Sequence, residues 1–373
     1  MKKILMVATC NFLTNRNDGG RQCSYRNYDI LCQIFGVENV YLYMITNDEV
    51  KESERISIFL TYSNKIQQIW WALGLRIGYS RKTMNQIIEN INRENFDYIW
   101  FDRSTLGGIC KKVQTKAKKV FFFHNVEKKY IQNKILHESV GYLVSYPAFL
   151  VNERNAVKKA DKIVCLNSRD SELVKAVYRR EADLVFPISF SDIFDKKEVL
   201  FEKTSCRITG KLLFIGSFFQ PNIDGIEWFI NNIMCQFPDI KLTVVGKGLE
   251  KKATDWQRVN VQIVGTVQDV GEYYKDSDAV VLPIFYGDGM KVKTAEALMY
   301  GKAIFATREA LEGYETEEQP DIFECNTKEE FINAIKKFYM IKRESNISYS
   351  NRQLFLDKYE NMTLTRKLKE LFN

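Results

Sequence analysis

The sequence is short of the residues from which metal and redox centres are built. Among its 373 residues are only two histidines, His124 and His137, and none of the eight cysteines (positions 10, 23, 32, 110, 165, 206, 235 and 325) stands in a C-x-x-C pair. Spacing therefore assembles no metal cluster, and a reducing compartment is the expectation. Six prolines leave little room for long linkers or tails. No apolar run reaches the length of about 18 residues that a membrane-spanning helix needs. The most apolar stretch, Val140 to Val151, is broken by Ser145 and Pro147. The opening MKKILMVATC resembles a secretion signal, but its apolar run ends at Ala8 and polar residues follow, so it reads as a first buried strand. The expected location is cytoplasmic, with membrane association left open.

What is present suits a globular chain with a large core: 45% of residues are hydrophobic, 13% aromatic and 27% charged. At roughly 100 to 200 residues per domain the length favours two domains. Charge is unevenly placed. Residues 1–200 hold 31 Lys and Arg against 22 Asp and Glu, whereas residues 201–373 hold 23 against 25. A basic first half suits anionic lipid, a lipid-linked diphosphate or nucleic acid, and charge alone does not choose among them. With no RNP, helix-turn-helix or zinc signature, a nucleic-acid partner is not expected. Lys111, Lys112, Lys116, Lys118 and Lys119 read as a solvated helix end.

Short β-branched and aromatic runs recur: Ile4 to Ala8, Val40 to Ile45, Tyr98 to Phe101, Val120 to Phe123 and Lys162 to Leu166. Segments of helical spacing separate them, and connections this long imply βαβ crossovers in a parallel sheet. The pattern restarts after Pro187 with Leu212 to Ile215, Leu242 to Val245, Val261 to Val264, Val280 to Leu282 and Ile304 to Ala306. The fold class is α/β, with two doubly wound Rossmann-like domains expected at residues 1–187 and 188–349. The join falls between Pro187 and Cys206. Residues 350–373 read as a terminal helix that needs a partner surface, the first domain being the candidate.

Ligands of open parallel sheets sit beyond the carboxyl ends of the strands. After the strand that ends at Pro283, Gly287, Asp288 and Gly289 lead into a helix that carries Lys291, Lys293 and Glu296, and Gly301 ends it. Free N–H groups and the positive dipole end at a helix start, with two lysines close by, attract a diphosphate. Lys293 and Glu296 lie three apart on one face, so a carboxylate able to accept from a ribose diol adjoins the anion site. The bland alternative is a surface Lys/Glu pair. His124 follows the strand ending at Phe123, where it either meets a ligand or is a satisfied buried histidine. Asp276-Ser277-Asp278 precedes a strand, at the opposite sheet end, and reads as a turn or cap. Gly246-Lys247-Gly248 lacks P-loop spacing.

These residues carry a resemblance. The segments from Val280 to Thr307, Leu212 to Phe229 (LLFIGSFFQPNIDGIEWF), Val244 to Gly248 (VVGKG), Ile263 to Pro283 and Thr307 to Glu315 resemble the retaining nucleotide-sugar glycosyltransferases of the GT-B fold, family four. In the first half the resemblance rests on DGGRQCSYR (Asp18 to Arg26), FFFHNVE (Phe121 to Glu127) and ADKIVCLNSRD (Ala160 to Asp170). It implies a GT-B fold with an acceptor-side first domain, a nucleotide-sugar-binding second domain and a cleft between them. The family's E-x7-E motif falls on Asp288 and Glu296. By resemblance Glu296 holds the ribose hydroxyls, Asp288 with the backbone of Gly289 and Met290 faces the donor sugar, and Lys291 and Lys293 face the diphosphate. Gly216, Ser217 and Lys247 would line the donor site, with backbone contacts from Val267 to the base. His124 would approach the donor sugar, and Gly19 and Gly20 the donor phosphate or acceptor. His124, Asp288 and Lys293 are the implied catalytic residues.

Two departures stand out. GSFFQPN, from Gly216 to Asn222, lacks the basic residues that the family often places there, and the first motif carboxylate is Asp rather than Glu. The implied function is metal-independent sugar transfer from a nucleoside-diphosphate sugar, with no resident cofactor, to a glycan, lipid-linked or protein acceptor. The implied setting is cell-surface polysaccharide or glycoconjugate assembly. A non-catalytic partner or chaperone subunit and a sugar-nucleotide epimerase of the same fold remain alternatives. Finally, Ile66, Ile69, Trp70, Leu73 and Ile77 form one helical stripe near Arg76, Arg81 and Lys82. Such a stripe more commonly packs on the chain's own sheet; the other outcome is docking on an anionic membrane.

Overall fold

A computed structural model describes residues 2–15, 18–48, 51–61, 63–194, 208–287, 289–341 and 345–373. The chain divides into two compact units, Met1–Pro187 with Thr365–Asn373, and Ile188–Leu364. Residues 195–207 of the expected join, and the motif position Asp288, lie outside the described residues.

The first unit is a 7-stranded sheet ordered β3-β2-β1-β4-β5-β6-β7. Its strands are β1 (Ile4–Ala8), β2 (Val40–Thr46), β3 (Ile56–Leu60), β4 (Tyr98–Phe101), β5 (Lys118–Phe123), β6 (Lys162–Cys165) and β7 (Leu184–Val185). Every pairing is parallel. All residues of β1 and β4 are buried, as strands covered by helices on both faces require. β3, whose residues are mostly half-exposed, and the two-residue β7 are the edges. Neither is among the strands expected from the sequence: β7 is only two residues long, and β3 (ISIFL) is not singled out there. Lys118 and Lys119 open β5 rather than ending a helix, and Lys119 N donates to Asp161 Oδ2 at 2.7 Å.

The second unit is a 6-stranded parallel sheet ordered β10-β9-β8-β11-β12-β13. Its strands are β8 (Lys211–Ile215), β9 (Lys241–Val245), β10 (Val261–Gly265), β11 (Ala279–Leu282), β12 (Ala303–Ala306) and β13 (Ile322–Glu324). The strand order reverses between β1 and β4 in one sheet and between β8 and β11 in the other. These are the switch points at which α/β sheets open crevices for ligands. In the second sheet the backbone is packed tightly there. Gly246 has φ 149°, and a Cβ on it would stand 1.5 Å from the Gly216 carbonyl oxygen. Only glycine lets the loops after β8 and β9 approach this closely.

The expected terminal helix is two helices, Tyr349–Lys358 and Asn361–Leu371. The break is anchored by Tyr359, whose hydroxyl accepts from Glu315 N at 2.7 Å. The last residues belong to the first unit, where Phe372 packs edge-on against Phe35 and Tyr98. Asp278, before β11, accepts from Lys211 N at 2.8 Å and also from Thr209 N and the Tyr339 hydroxyl. The D-x-D stretch is thus tied into the amino-terminal end of the sheet.

Candidate functional site

In the second unit the site is built on two helices that leave the switch point. One, Gln220–Asn232, follows β8; the other, Val292–Met299, follows β11. The second starts after Lys291, and among the described residues no side chain caps its first N–H groups, so its positive dipole end faces the loop after β11. Lys293, on its first turn, donates from Nζ to the Asn222 side-chain oxygen Oδ1 on the other helix, and its Nζ stands 4.9 Å from the Phe214 ring centre. Burial, with Lys291 adding repulsion, lowers the Lys293 ammonium to about 7 even though Glu296 pulls the other way. One turn along, Glu296 Oε2 accepts from the Tyr274 hydroxyl at 3.1 Å, and Tyr274 stacks on Tyr300. Burial raises the Glu296 carboxyl to about 7, against the opposing pull of Tyr274 and Lys293.

The structure thus brings Lys293 and Glu296 together and turns Lys291 elsewhere. Lys291 Nζ donates to Glu309 Oε1 at 2.7 Å and to the Gly289 carbonyl at 2.9 Å. Tyr314 fixes the backbone there by donating to Lys291 O at 2.8 Å. Gly289 takes φ 66° and Met290 is buried. Gly216 and Ser217 follow β8, where Gly216 N donates to Val245 O and Asn222 Nδ2 to Ser217 O, each at 3.0 Å. Lys247 is exposed, its carbonyl accepting from Phe218 N at 2.9 Å; Val267, beyond β10, is half-buried. Sequence reasoning missed Asn222, Tyr274 and Glu309. Asn222 and Tyr274 lay within segments that carried the resemblance, but no local pattern pairs them with residues about 70 and 20 positions away.

The first unit holds a second polar cluster at its own switch point. Asp102, immediately after β4, is buried and accepts four hydrogen bonds. Ser24 Oγ donates at 2.5 Å, Asn27 Nδ2 at 2.7 Å and Trp100 Nε1 at 3.0 Å, and His124 Nε2 lies at 3.2 Å. Ser24 and Asn27 sit on the helix Gly19–Phe35, which Asp18 caps by accepting from Arg21 N at 2.9 Å. Gly19 opens that helix. A Cβ at Gly20 would stand 3.0 Å from Arg103 Nη2, so the glycine makes room for a guanidinium beside the cluster. Burial disfavours the His124 cation, but the neighbouring Cys23 sulfur and the Asp102 carboxylate outweigh it and raise the imidazole pKa to about 9. Burial also opposes the Asp102 charge, yet His124, Ser24 and Asn27 hold its pKa below the ordinary 3.8. The raised pKa favours the imidazolium form, which donates through both ring nitrogens. Neighbouring Glu127 begins a helix whose first N–H groups are capped by the buried Glu153 carboxylate.

Asp102→Ala is expected to cost about 3 to 5 kcal/mol of stability, because it strips the counter-charge from a buried imidazolium and leaves three donors unpaired. Urea unfolding checks the loss. The pH dependence has a definite sign. The His124 contribution is complete below 6.5 and lost as pH rises through about 9, and that of Asp102 is complete above 3.8 and lost at lower pH. The wild-type advantage over the variant is therefore greatest between roughly 4 and 6.5.

Among the described residues no group of His, Cys, Asp and Glu is arranged to hold a metal ion. Residues 209–340 match the family model described as glycosyl transferases, group 1. No curated protein matches the chain at the sequence level. Among solved structures, sucrose-phosphate synthase from Thermosynechococcus elongatus is similar at TM-score 0.73 and 14% identity, covering 100% of this chain and 98% of that one. HepE from Anabaena, in complex with UDP and glucose, is similar at TM-score 0.69 and 12% identity, covering 100% and 99%. WaaG, a glycosyltransferase involved in lipopolysaccharide biosynthesis, is similar at TM-score 0.68 and 15% identity, covering 99% of both chains. At such identities the likeness is one of fold, and the fold is GT-B.

Proposed function

We propose that this glycosyltransferase of GT-B fold, whose residues 209–340 match the group 1 type, is a retaining enzyme that moves a sugar from a nucleoside diphosphate to an acceptor hydroxyl. The observation that carries the reading is the pairing of Lys293 and Glu296 near the start of one helix, beside the loop after β8. Glu296 takes the ribose diol. Lys293 and the helix N-terminus take the diphosphate, with Gly216, Ser217 and Lys247 lining the same crevice and Val267 meeting the base. Asp288, Gly289 and Met290 are assigned to the donor sugar, as is His124, and Gly19 and Gly20 to the donor phosphate or the acceptor. Lys291, engaged with Glu309, shapes the loop and lends its charge from a distance.

In the reaction the bond from the sugar's anomeric carbon to the diphosphate breaks, and the acceptor oxygen bonds to that carbon on the same face. The acceptor proton passes to the leaving phosphate oxygen. Fixed positive groups aimed at developing negative charge do most of the stabilising in such a site. The reading gives that task to Lys293 and the helix dipole rather than to a metal ion. The match of HepE, solved with UDP and glucose, and of WaaG, an enzyme of lipopolysaccharide biosynthesis, supports a nucleotide-sugar donor and a product in cell-surface polysaccharide or glycoconjugate. Peripheral contact with an anionic membrane belongs to the same reading.

Proton NMR of the reaction with an α-linked donor tests it. An α-linked product is the expected result. A β-linked product would contradict retention, and conversion of the donor with no acceptor present would assign epimerase chemistry instead.

A further inference from the structure

The stripe on helix Lys65–Leu73 does not pack on the chain's own sheet. Asn64 and Gln67 cap the helix reciprocally, so it is a formed element, yet among its residues only Ala72 is buried. Ile66, Ile69, Trp70 and Leu73 all point to solvent, Trp70 with 66% of its surface exposed. The expectation of a stripe turned inward is thereby corrected: Ala72 and the half-buried Trp71 make the inner contact, and Ile66, Ile69, Trp70 and Leu73 lie on the exposed face. The helix packs against the 3-10 turn Val140–Val144 and the helix Tyr146–Lys159. Asn152 on the latter donates to Leu75 O at 3.0 Å and pins the following loop. These neighbours extend the exposed apolar surface with Val140, Leu143 and Val144, and Leu136 stands beside them on the preceding helix.

A contiguous apolar surface of this kind marks an interaction site, and the charges around it say with what. Residues 65–88, from the start of the helix onward, contain Lys65, Arg76, Arg81 and Lys82 and no Asp or Glu; residues 139–152 contain no charged residue, and Glu138 beside the turn is paired with Lys134 at 2.8 Å. A second copy of the chain would bring the same basic rim against itself, and like charges facing each other oppose pairing. An anionic bilayer complements both features, taking the apolar side chains into its headgroup boundary and the lysines and arginines at its surface. No helix among the described residues is long and apolar enough to cross a membrane, so the contact is with the surface.

We propose that the apolar face formed by helix Lys65–Leu73 and the turn Val140–Val144 docks this chain on an anionic lipid bilayer, with Trp70 and Leu143 as anchors and Arg81 and Lys82 at the lipid headgroups. The full chain is to be co-sedimented with phosphatidylcholine vesicles and with vesicles that also contain phosphatidylglycerol. Sedimentation with the anionic vesicles alone, weakening as salt rises, is expected. The double variant Trp70→Ser with Leu143→Ser lowers the partition coefficient by about tenfold or more, and Arg81→Gln with Lys82→Gln removes the preference for anionic lipid. All four side chains are exposed, so melting temperature stays unchanged. Nucleotide binding, followed in parallel, belongs to the second unit and is untouched, which separates failure here from failure of the donor site. Equal sedimentation with neutral vesicles, or an unaltered double variant, would overturn the proposal. A dimer in sedimentation velocity that the Trp70→Ser, Leu143→Ser variant lacks would give the face to a second copy and equally overturn it.

Discussion

Glu296→Ala is expected to weaken nucleoside-diphosphate binding by about 100-fold or more, equivalent to about 2.7 kcal/mol. A carboxylate that accepts from both hydroxyls of a ribose is a charge-assisted, two-point contact, and its loss leaves both hydroxyls without a partner in a site from which water has been displaced. Tyr274 fixes the carboxylate by bonding Oε2, so the group is held ready in the free protein. Holding it there has a cost. Burial raises the Glu296 carboxyl to about 7, so its contribution to stability is complete below 4.5 and lost as pH rises to about 7. Glu296→Gln removes that dependence: its melting temperature is expected to be flatter than the wild type's between pH 4.5 and 7. Calorimetric titration of a nucleoside diphosphate and melting curves across pH check the two halves of the statement. Unchanged affinity in Glu296→Ala would remove the ribose from this carboxylate.

Lys293→Ala is expected to lower kcat by about 10²- to 10³-fold, the loss that follows when one preorganised group is withdrawn from a developing charge. Free of ligand, Lys293 is held near pH 7 by burial and by Lys291, so at neutral pH the site contains it partly uncharged. On the proposed reading a bound diphosphate restores the charge. Binding therefore takes up a proton above about pH 7, and affinity falls by up to tenfold per pH unit over that range. Titrations in buffers of different ionisation enthalpy measure the uptake directly. In the free protein the sign is opposite to that of Glu296: the Lys293 contribution to stability is complete above 10.5 and lost as pH falls to about 7. Lys293→Met, apolar and of similar length, is expected to raise the stability of the ligand-free protein at pH 7 by on the order of 1 kcal/mol while abolishing turnover. A site that trades stability for charge is what function demands here; a variant with turnover intact would show that the leaving group is held elsewhere.

The parts of this protein that were legible in its sequence were those whose physics is local. β1, β4 and β11 are covered on both faces, so their apolar runs are continuous and their limits could be read to within a residue. β13 has only three residues, too few for a periodic signal, while β3 (ISIFL) is apolar enough to read as a strand but is half-exposed at the sheet edge and was passed over. Lys293 and Glu296 were legible because helical spacing places them on one face. Asn222, which receives Lys293, and Tyr274, which holds Glu296, come from other elements, and only the strand order β8-β11 brings the first of them there. Asp102 was a single carboxylate after a strand, and nothing near it in sequence announced the four donors that converge on it. The stripe from Ile66 to Leu73 was plain, but periodicity states only that a helix has an apolar face, not what that face meets.

The account stands on the nucleotide site of the second unit, and calorimetric titration of UDP, GDP, ADP and dTDP into the wild type and Glu296→Ala tests it most directly. One diphosphate should bind the wild type, with proton uptake above pH 7, and should fail to bind the variant at the same concentrations. Folded wild-type protein that binds none of the four, or a variant that binds as well as the wild type, would contradict it.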